Sequence, residues 1–215
     1  MRALHGKRAM VAGSDGAYAD VVAARLRREG AATAESAQEI PQLAETDIVV
    51  ICPPHAAFAP GTSAAVLTET ILHARRWTEA AAAAMTVRGS GTIVHVTGLP
   101  GLGGWRGWHS SGAAFAAIHG LVKSFALELA PHGVRINALV TGVTLELAET
   151  IAGHAGLSED AVRVRIPAGR YLTDDDIGNA LVYLVHDSAS YITGETLVID
   201  GGWDTWGRLH AAAAT

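Results

Sequence analysis

Few side chains in this sequence are of the kind that move protons or make bonds, and their positions narrow the chemistry further. His55 follows the apolar run Asp47-Ile48-Val49-Val50-Ile51-Cys52 and its Pro53-Pro54 stop. His109 closes a Gly- and Trp-rich stretch after a second apolar run, Gly91-Thr92-Ile93-Val94-His95-Val96-Thr97. An imidazole at either place can act as a general base near neutral pH, or can simply bond to backbone or water in its loop. Thr97 and Ser111 can orient a substrate oxygen, although a serine at a helix start equally serves as an N-cap. Cys52, the single cysteine, can pair with His55 as a thiolate, but its seat in an apolar strand argues for a small buried hydrophobe. The histidines stand at 5, 55, 73, 95, 109, 119, 132, 154, 186 and 210. No two are three to five residues apart, so no local metal-ligand pair exists and no metal is expected.

The chain that must position these groups has 215 residues, 49% of them hydrophobic and 17% charged, which suits one globular domain over residues 1–215. A net charge of -5, with the 16 Lys and Arg scattered, gives no footprint for nucleic acid. The apolar part of the N-terminus is too short for a secretory leader and runs into a strand pattern, and no stretch is expected to span a membrane. With one cysteine the fold rests on its core, as in a reducing cytoplasm.

Strand and helix signals alternate along the chain. Arg8 to Val11 reads as a strand, Gly13-Ser14-Asp15-Gly16 as a glycine turn, and Ala17 to Glu29 as a helix closed by Gly30. Ala31 to Ala34 is a weak strand and Asp47 to Cys52 a strong one, with a long helix from about Ser63 to Val87. The strand Gly91 to Thr97 and the loop to His109 precede a helix from Ser111 to Ala130 that is apolar or small on most faces. Such a helix is expected to be covered on both sides, by the sheet and by a second subunit. Val134 to Val140 is a further strand, Thr173 caps a helix running to about Val185, and Thr196 to Asp200 ends the pattern. This order predicts an α/β fold with a doubly wound, mostly parallel sheet in three layers.

Ile166-Pro167-Ala168-Gly169-Arg170, Asp176-Ile177, Tyr191-Ile192-Thr193-Gly194 and Ile199-Asp200-Gly201-Gly202-Trp203 closely resemble the C-terminal third of classical short-chain dehydrogenases. Earlier segments fit in the same order: Ala12-Gly13, Asp47 to Pro54, Gly91 to Gly98 and Arg135-Ile136-Asn137. The resemblance covers nearly the whole chain and implies a Rossmann-like fold.

Its departures bear on function. The family turn Thr-Gly-x-x-x-Gly-x-Gly reads here Ala12-Gly13-Ser14-Asp15-Gly16-Ala17-Tyr18-Ala19, with an acid and a bulky ring near the diphosphate. Between Glu35 and Asp47 there is too little chain for the helix, strand and helix of the adenine side, so that half is expected to be truncated. Ungapped alignment puts the family's serine at Gly98, its tyrosine at Ser111, its lysine at Phe115 and its asparagine near Thr70. The family's Pro-Gly has become Thr141-Gly142. A glycine, a serine hydroxyl and a phenyl ring cannot replace the proton donor and the lysine that tunes it. A weaker resemblance is to halohydrin dehalogenases, which fill the nicotinamide space with an aromatic residue, as Tyr18 and the Pro100 to Trp108 loop would here.

These departures lead to the expectation of a cofactor-independent, non-redox enzyme of cyclase, dehydratase or isomerase type acting on a hydrophobic small molecule. His55, His109 and Ser111 are its candidate catalytic groups, and Tyr18, Thr97, Gly98, Trp105, Trp108, Phe115 and Thr141 its candidate pocket. No cofactor is expected, and a homodimer or homotetramer is. The alternatives are a silent homologue acting as a binding or scaffolding subunit, for instance in a hetero-oligomer with an active family member, and an unusual NAD(P)-dependent oxidoreductase.

Overall fold

The computed structural model describes residues 2–13, 17–36, 40 and 43–207. Six parallel strands form one sheet: β1 (Arg8–Ala12), β2 (Ala32–Ser36), β3 (Ile48–Ile51), β4 (Gly91–Gly98), β5 (Val134–Thr141) and β6 (Thr196–Ile199), in the spatial order β2-β1-β3-β4-β5-β6. Their apolar runs are continuous because helices cover both faces. On one face lie α1 (Ala19–Arg28) and α6 (Asp174–Val185), sharing a core of Val22, Leu26, Val50, Val94, Ile177 and Leu181. On the other lie α2 (Ala64–Arg88) and α3 (His109–Leu129), packed over Val49, Ile93 and Ile136. The doubly wound order that begins 3-2-1-4 has lost its outer strand here, leaving β2 at the edge. Among the described residues between β2 and β3 there is no helix or strand, in keeping with the short link read from the sequence.

Most expected elements lie within two residues of their sequence bounds. Ser63 caps α2, accepting from Val66 N, and Thr173 caps α6 in a reciprocal box with Asp176. Three helices were not expected: α4 (Leu145–Ala155), α5 (Glu159–Arg163) and α7 (Trp203–Gly207). α4 and α5 pack with Leu99, Trp108 and Val140 in a third core cluster at the C-terminal end of the sheet. The expectation that no stretch is long and apolar enough to cross a membrane also needs correcting, because His109–His132 is, by length and composition. In the fold this stretch is a core helix, and Phe115, Ile118 and Val122 of α3 are buried against the sheet.

Candidate active site

The chain leaves β1 toward β2 in one direction and returns on the other side as β3, so a crevice opens between the C-terminal ends of β1 and β3. Gly13 ends β1 with φ +91°, and a Cβ there would lie 2.4 Å from the Cys52 carbonyl oxygen, so only glycine lets the two strand ends approach. Ser14, Asp15 and Gly16 lie outside the described residues. Tyr18 follows with φ 71°, the one non-glycine residue with positive φ among those described, and α1 starts behind it. A bulky residue held there costs on the order of 1–3 kcal/mol.

A groove of about 450 Å³ runs over this crevice, lined by Ala17, Tyr18, Asp20, His55, Phe58, Thr144, Glu146 and Asp174, among others. The N-termini of α1, α4 and α6 all converge on it, a geometry that attracts anions. Each helix, however, carries its own acid in the first turn: Asp20, Glu146 and Asp174. No lysine or arginine lines the groove among the described residues.

The 3-10 turn His55–Phe58 sends its two ends in different directions. His55 stands at the groove mouth with Nε2 2.9 Å from Glu146 Oε1, both side chains being largely exposed at 65% and 72%. An exposed pair of this kind adds little to stability. Phe58 points inward, edge-on to Tyr18 at 5.3 Å between ring centroids and 5.0 Å from Phe115. Phe58 and Phe115 fill the space beyond Gly98, where a Cβ would meet them at 2.7 Å and 3.1 Å. The Tyr18 hydroxyl lies near the side-chain hydroxyls of Thr141 and Thr144. Burial raises its pKa above the ordinary phenol value, those hydroxyls lower it in part, and the Glu146 and Asp174 carboxylates add to the rise.

Of the residues singled out from the sequence, the groove brings together Tyr18 and His55, with Thr141 beneath Tyr18. Thr97 and Phe115 are fully buried and Gly98 is covered by rings; none of the three lines the groove. Thr97 Oγ1 is 2.9 Å from His119 Nε2, and its carbonyl accepts from Thr141 Oγ1 at 3.1 Å. Ser111 donates to the Ala59 carbonyl at 3.3 Å, tying the loop after Phe58 to α3. His109 is exposed at the start of α3. Trp105 stacks on Trp203 at 5.5 Å and meets Trp108 edge-on at 5.7 Å, and the three pack with the α4 cluster. Cys52 is fully buried, and burial pushes its thiol up to about 12, so it does not pair with His55 as a thiolate. Glu146, Phe58 and Asp174 were missed from the sequence. Thr144 followed by Glu146 in a helix's first turn was a readable signal for one of them.

A nicotinamide dinucleotide would find here the open groove and the Thr144 hydroxyl. The three carboxylates oppose its diphosphate, so the main chain and hydroxyls, not cations, would have to hold it.

A family model described as enoyl-(acyl carrier protein) reductase matches residues 70–204. The chain is 35% identical over 127 residues to 2-dehydro-3-deoxy-D-gluconate 5-dehydrogenase of Bacillus subtilis, which covers 59% of this chain and 50% of that protein. It is 34% identical over 123 residues to 3alpha-hydroxysteroid dehydrogenase of Mediterraneibacter gnavus, covering 57% of this chain and 48% of the other. The chain thus spans about half the length of the curated relatives it matches. In structure it resembles a gluconate 5-dehydrogenase of Burkholderia cenocepacia in complex with NADP and tartrate, with a TM-score of 0.79 and 21% identity over 94% of this chain and 96% of that one, a likeness of fold. These relatives are named as dehydrogenases, and the matched family is one of reductases. The expected cofactor-independent, non-redox enzyme is overturned by them.

Proposed function

Because the chain belongs to the short-chain dehydrogenase/reductase superfamily, we propose that it is an atypical NAD(P)-linked oxidoreductase of small carbonyl or alcohol compounds, working without the family's tyrosine and lysine. The observation that carries this reading is the His55–Glu146 pair at 2.9 Å, set at the mouth of the groove where such folds bind ligands.

When bound, a nicotinamide cofactor supplies the hydride. Gly13, Ala17 and the Thr144 hydroxyl are the groups that would hold it, by close backbone approach and hydrogen bonding. Glu146 accepts from His55 Nε2 and so fixes the ring, leaving Nδ1 to give a proton to the substrate oxygen in reduction or take one in oxidation. Phe58 and Phe115 keep water from the floor beneath. Ser111 and Phe115, at the family's tyrosine and lysine positions, serve the loop and the core instead.

The test is turnover of NADH or NADPH against sugar-acid and cyclic ketones by wild type, His55→Ala and Glu146→Gln. The reading expects a loss of about 10²–10⁴-fold in kcat for His55→Ala, the usual contribution of a positioned acid or base. Equal turnover in all three proteins would remove the pair from the chemistry.

The outer face of α3 supports a second part of the reading, assembly of two copies. Ala113, Ala116, Gly120 and Leu127 face outward, Leu127 being 81% exposed, and a Cβ on Gly120 would meet nothing within 4 Å. Small side chains at Ala113, Ala116 and Gly120, with Lys123 and Leu127 beyond them, allow a second helix to approach this part of the face closely.

A further inference from the structure

The outermost strand, β2, has main-chain groups that the sheet does not use. Among the described residues it pairs only with β1, in the parallel register Arg8↔Ala32, Met10↔Ala34 and Ala12↔Ser36. Ala32 N donates to the Lys7 carbonyl at 2.9 Å, which fixes the phase of this ladder. Alternate residues of a strand turn their N–H and C=O groups to opposite sides, so 32, 34 and 36 serve β1. The main-chain groups of Thr33 and Glu35 therefore point away from the sheet.

Edge strands are ordinarily blunted by proline, lysine, a bulge or a covering helix. β2 reads Ala-Thr-Ala-Glu-Ser, with neither proline nor lysine, and its ladder with β1 runs without a bulge. α1 packs on one face of it. On the other face Ala32 and Ala34 are exposed beside a groove of about 540 Å³, and no residue of a described helix lines that groove.

The symmetry of the unused groups decides what they fit. Thr33 and Glu35 flank Ala34, so a second β2 laid antiparallel about a twofold axis at Ala34 sets Thr33 of each copy opposite Glu35 of the other. Each such pair exchanges two N–H···O=C bonds, and between them the two Ala34 residues form a narrow pair with Cα atoms about 4.5 Å apart. Methyl side chains suit that close approach. The one charged residue of the strand selects this register, because it sets each Glu35 position against a threonine, whereas an axis at Glu35 would oppose like charges.

We propose that β2 is a docking edge for a second copy of this chain: the two sheets join through antiparallel β2 strands, with Ala34 on the twofold axis and Thr33 paired with Glu35. The contact is separate from the outer face of α3 and does not depend on the redox reading.

A short ladder makes a weak contact, so the test traps it covalently. Ala34→Cys and Ala32→Cys are made separately in the full chain, oxidised with diamide and run on non-reducing gels. Cys52 is fully buried, which leaves the introduced thiols as the ones within reach. On the axis, position 34 meets its own copy at a Cα separation that a disulfide spans. The two copies of position 32 lie four residues out of step, about 13 Å apart along the strands, too far for one. The expected result is a cross-linked dimer for Ala34→Cys and a monomer band for Ala32→Cys. Adding Thr33→Pro to Ala34→Cys takes away an N–H that β1 does not use, a change an edge strand tolerates, and should abolish the cross-link while the circular dichroism spectrum stays the same. No cross-link at position 34, or equal cross-linking at 34 and 32, overturns the pairing. A cross-link that survives Thr33→Pro overturns the ladder as its cause. Should the proline variant fail to fold, the comparison of positions 34 and 32 still decides the matter.

Discussion

Phe58 occupies the space that a side chain on Gly98 would need, with its Cε1 2.7 Å from the position of a Cβ there. A larger side chain at position 98 does not fit while Phe58 and Phe115 keep these places. Gly98→Ser is expected to cost about 1–3 kcal/mol in urea unfolding, the usual penalty of overpacking. Pairing it with Phe58→Ala should recover part of that loss, whereas a single variant as stable as wild type would show that the stack yields freely.

Acid should destabilise the fold through its buried histidines. His95 is fully buried, with Nε2 2.8 Å from Thr78 Oγ1. Burial first, then the nearby His73 and His119, lower it to about 3. His119 is lowered to about 4 by burial and by Lys123. Both folded-state values lie below the ordinary 6.5, so between those limits the unfolded chain binds more protons than the folded one. The stability they contribute is complete above about pH 6.5 and is lost as pH falls toward 4 and then 3. The loss is on the order of several kcal/mol, since each tenfold change in proton affinity is worth about 1.4 kcal/mol. Chemical denaturation at pH 7.5, 6, 5 and 4 checks this, and His95→Gln, which keeps a donor for Thr78, should flatten the curve. A stability independent of pH over that range would contradict it.

The groove should respond to salt in the opposite sense to an ordinary diphosphate site. With Asp20, Glu146 and Asp174 in its lining and no lysine or arginine among the described residues there, repulsion rather than attraction is what salt screens. NADH affinity is expected to rise about two- to fivefold from low salt to about 0.5 M NaCl, and Asp20→Asn should tighten binding at low salt. Affinity that falls with salt would mean that cations hold the cofactor after all.

Assembly through α3 is testable by light scattering. Ala116→Glu puts a bulky charge among Ala113, Ala116 and Gly120, and a wild-type dimer or tetramer should give way to a smaller species with an unchanged circular dichroism spectrum. An unchanged mass would place the contact elsewhere.

Strand and helix order was legible because the parallel sheet demands continuous apolar runs such as Val49 to Ile51 and Ala138 to Val140, and because Ser63 and Thr173 mark helix starts. α4 escaped although Thr144, Glu146 and the spacing of Leu147, Ile151 and Ala152 announce it. Departures from the family at Ser111 and Phe115 were also readable, but what those residues do was not. The Ser111 bond to Ala59 spans 52 residues, and the Phe58–Phe115 contact joins two separate elements. The His55–Glu146 pair spans 91 residues and depends on the entry angle of α4, which no local pattern encodes. His95 and His119 read as ordinary histidines in sequence, and only burial distinguishes them.

The most direct measurement of the central claim is the binding of NADH and NADPH to the full chain by calorimetry, followed by hydride transfer from the bound cofactor to a ketone. Saturable binding, with oxidation that His55→Ala abolishes, is the predicted result. No heat and no oxidation up to millimolar cofactor would contradict the account, and would leave a reductase fold whose groove serves some other ligand.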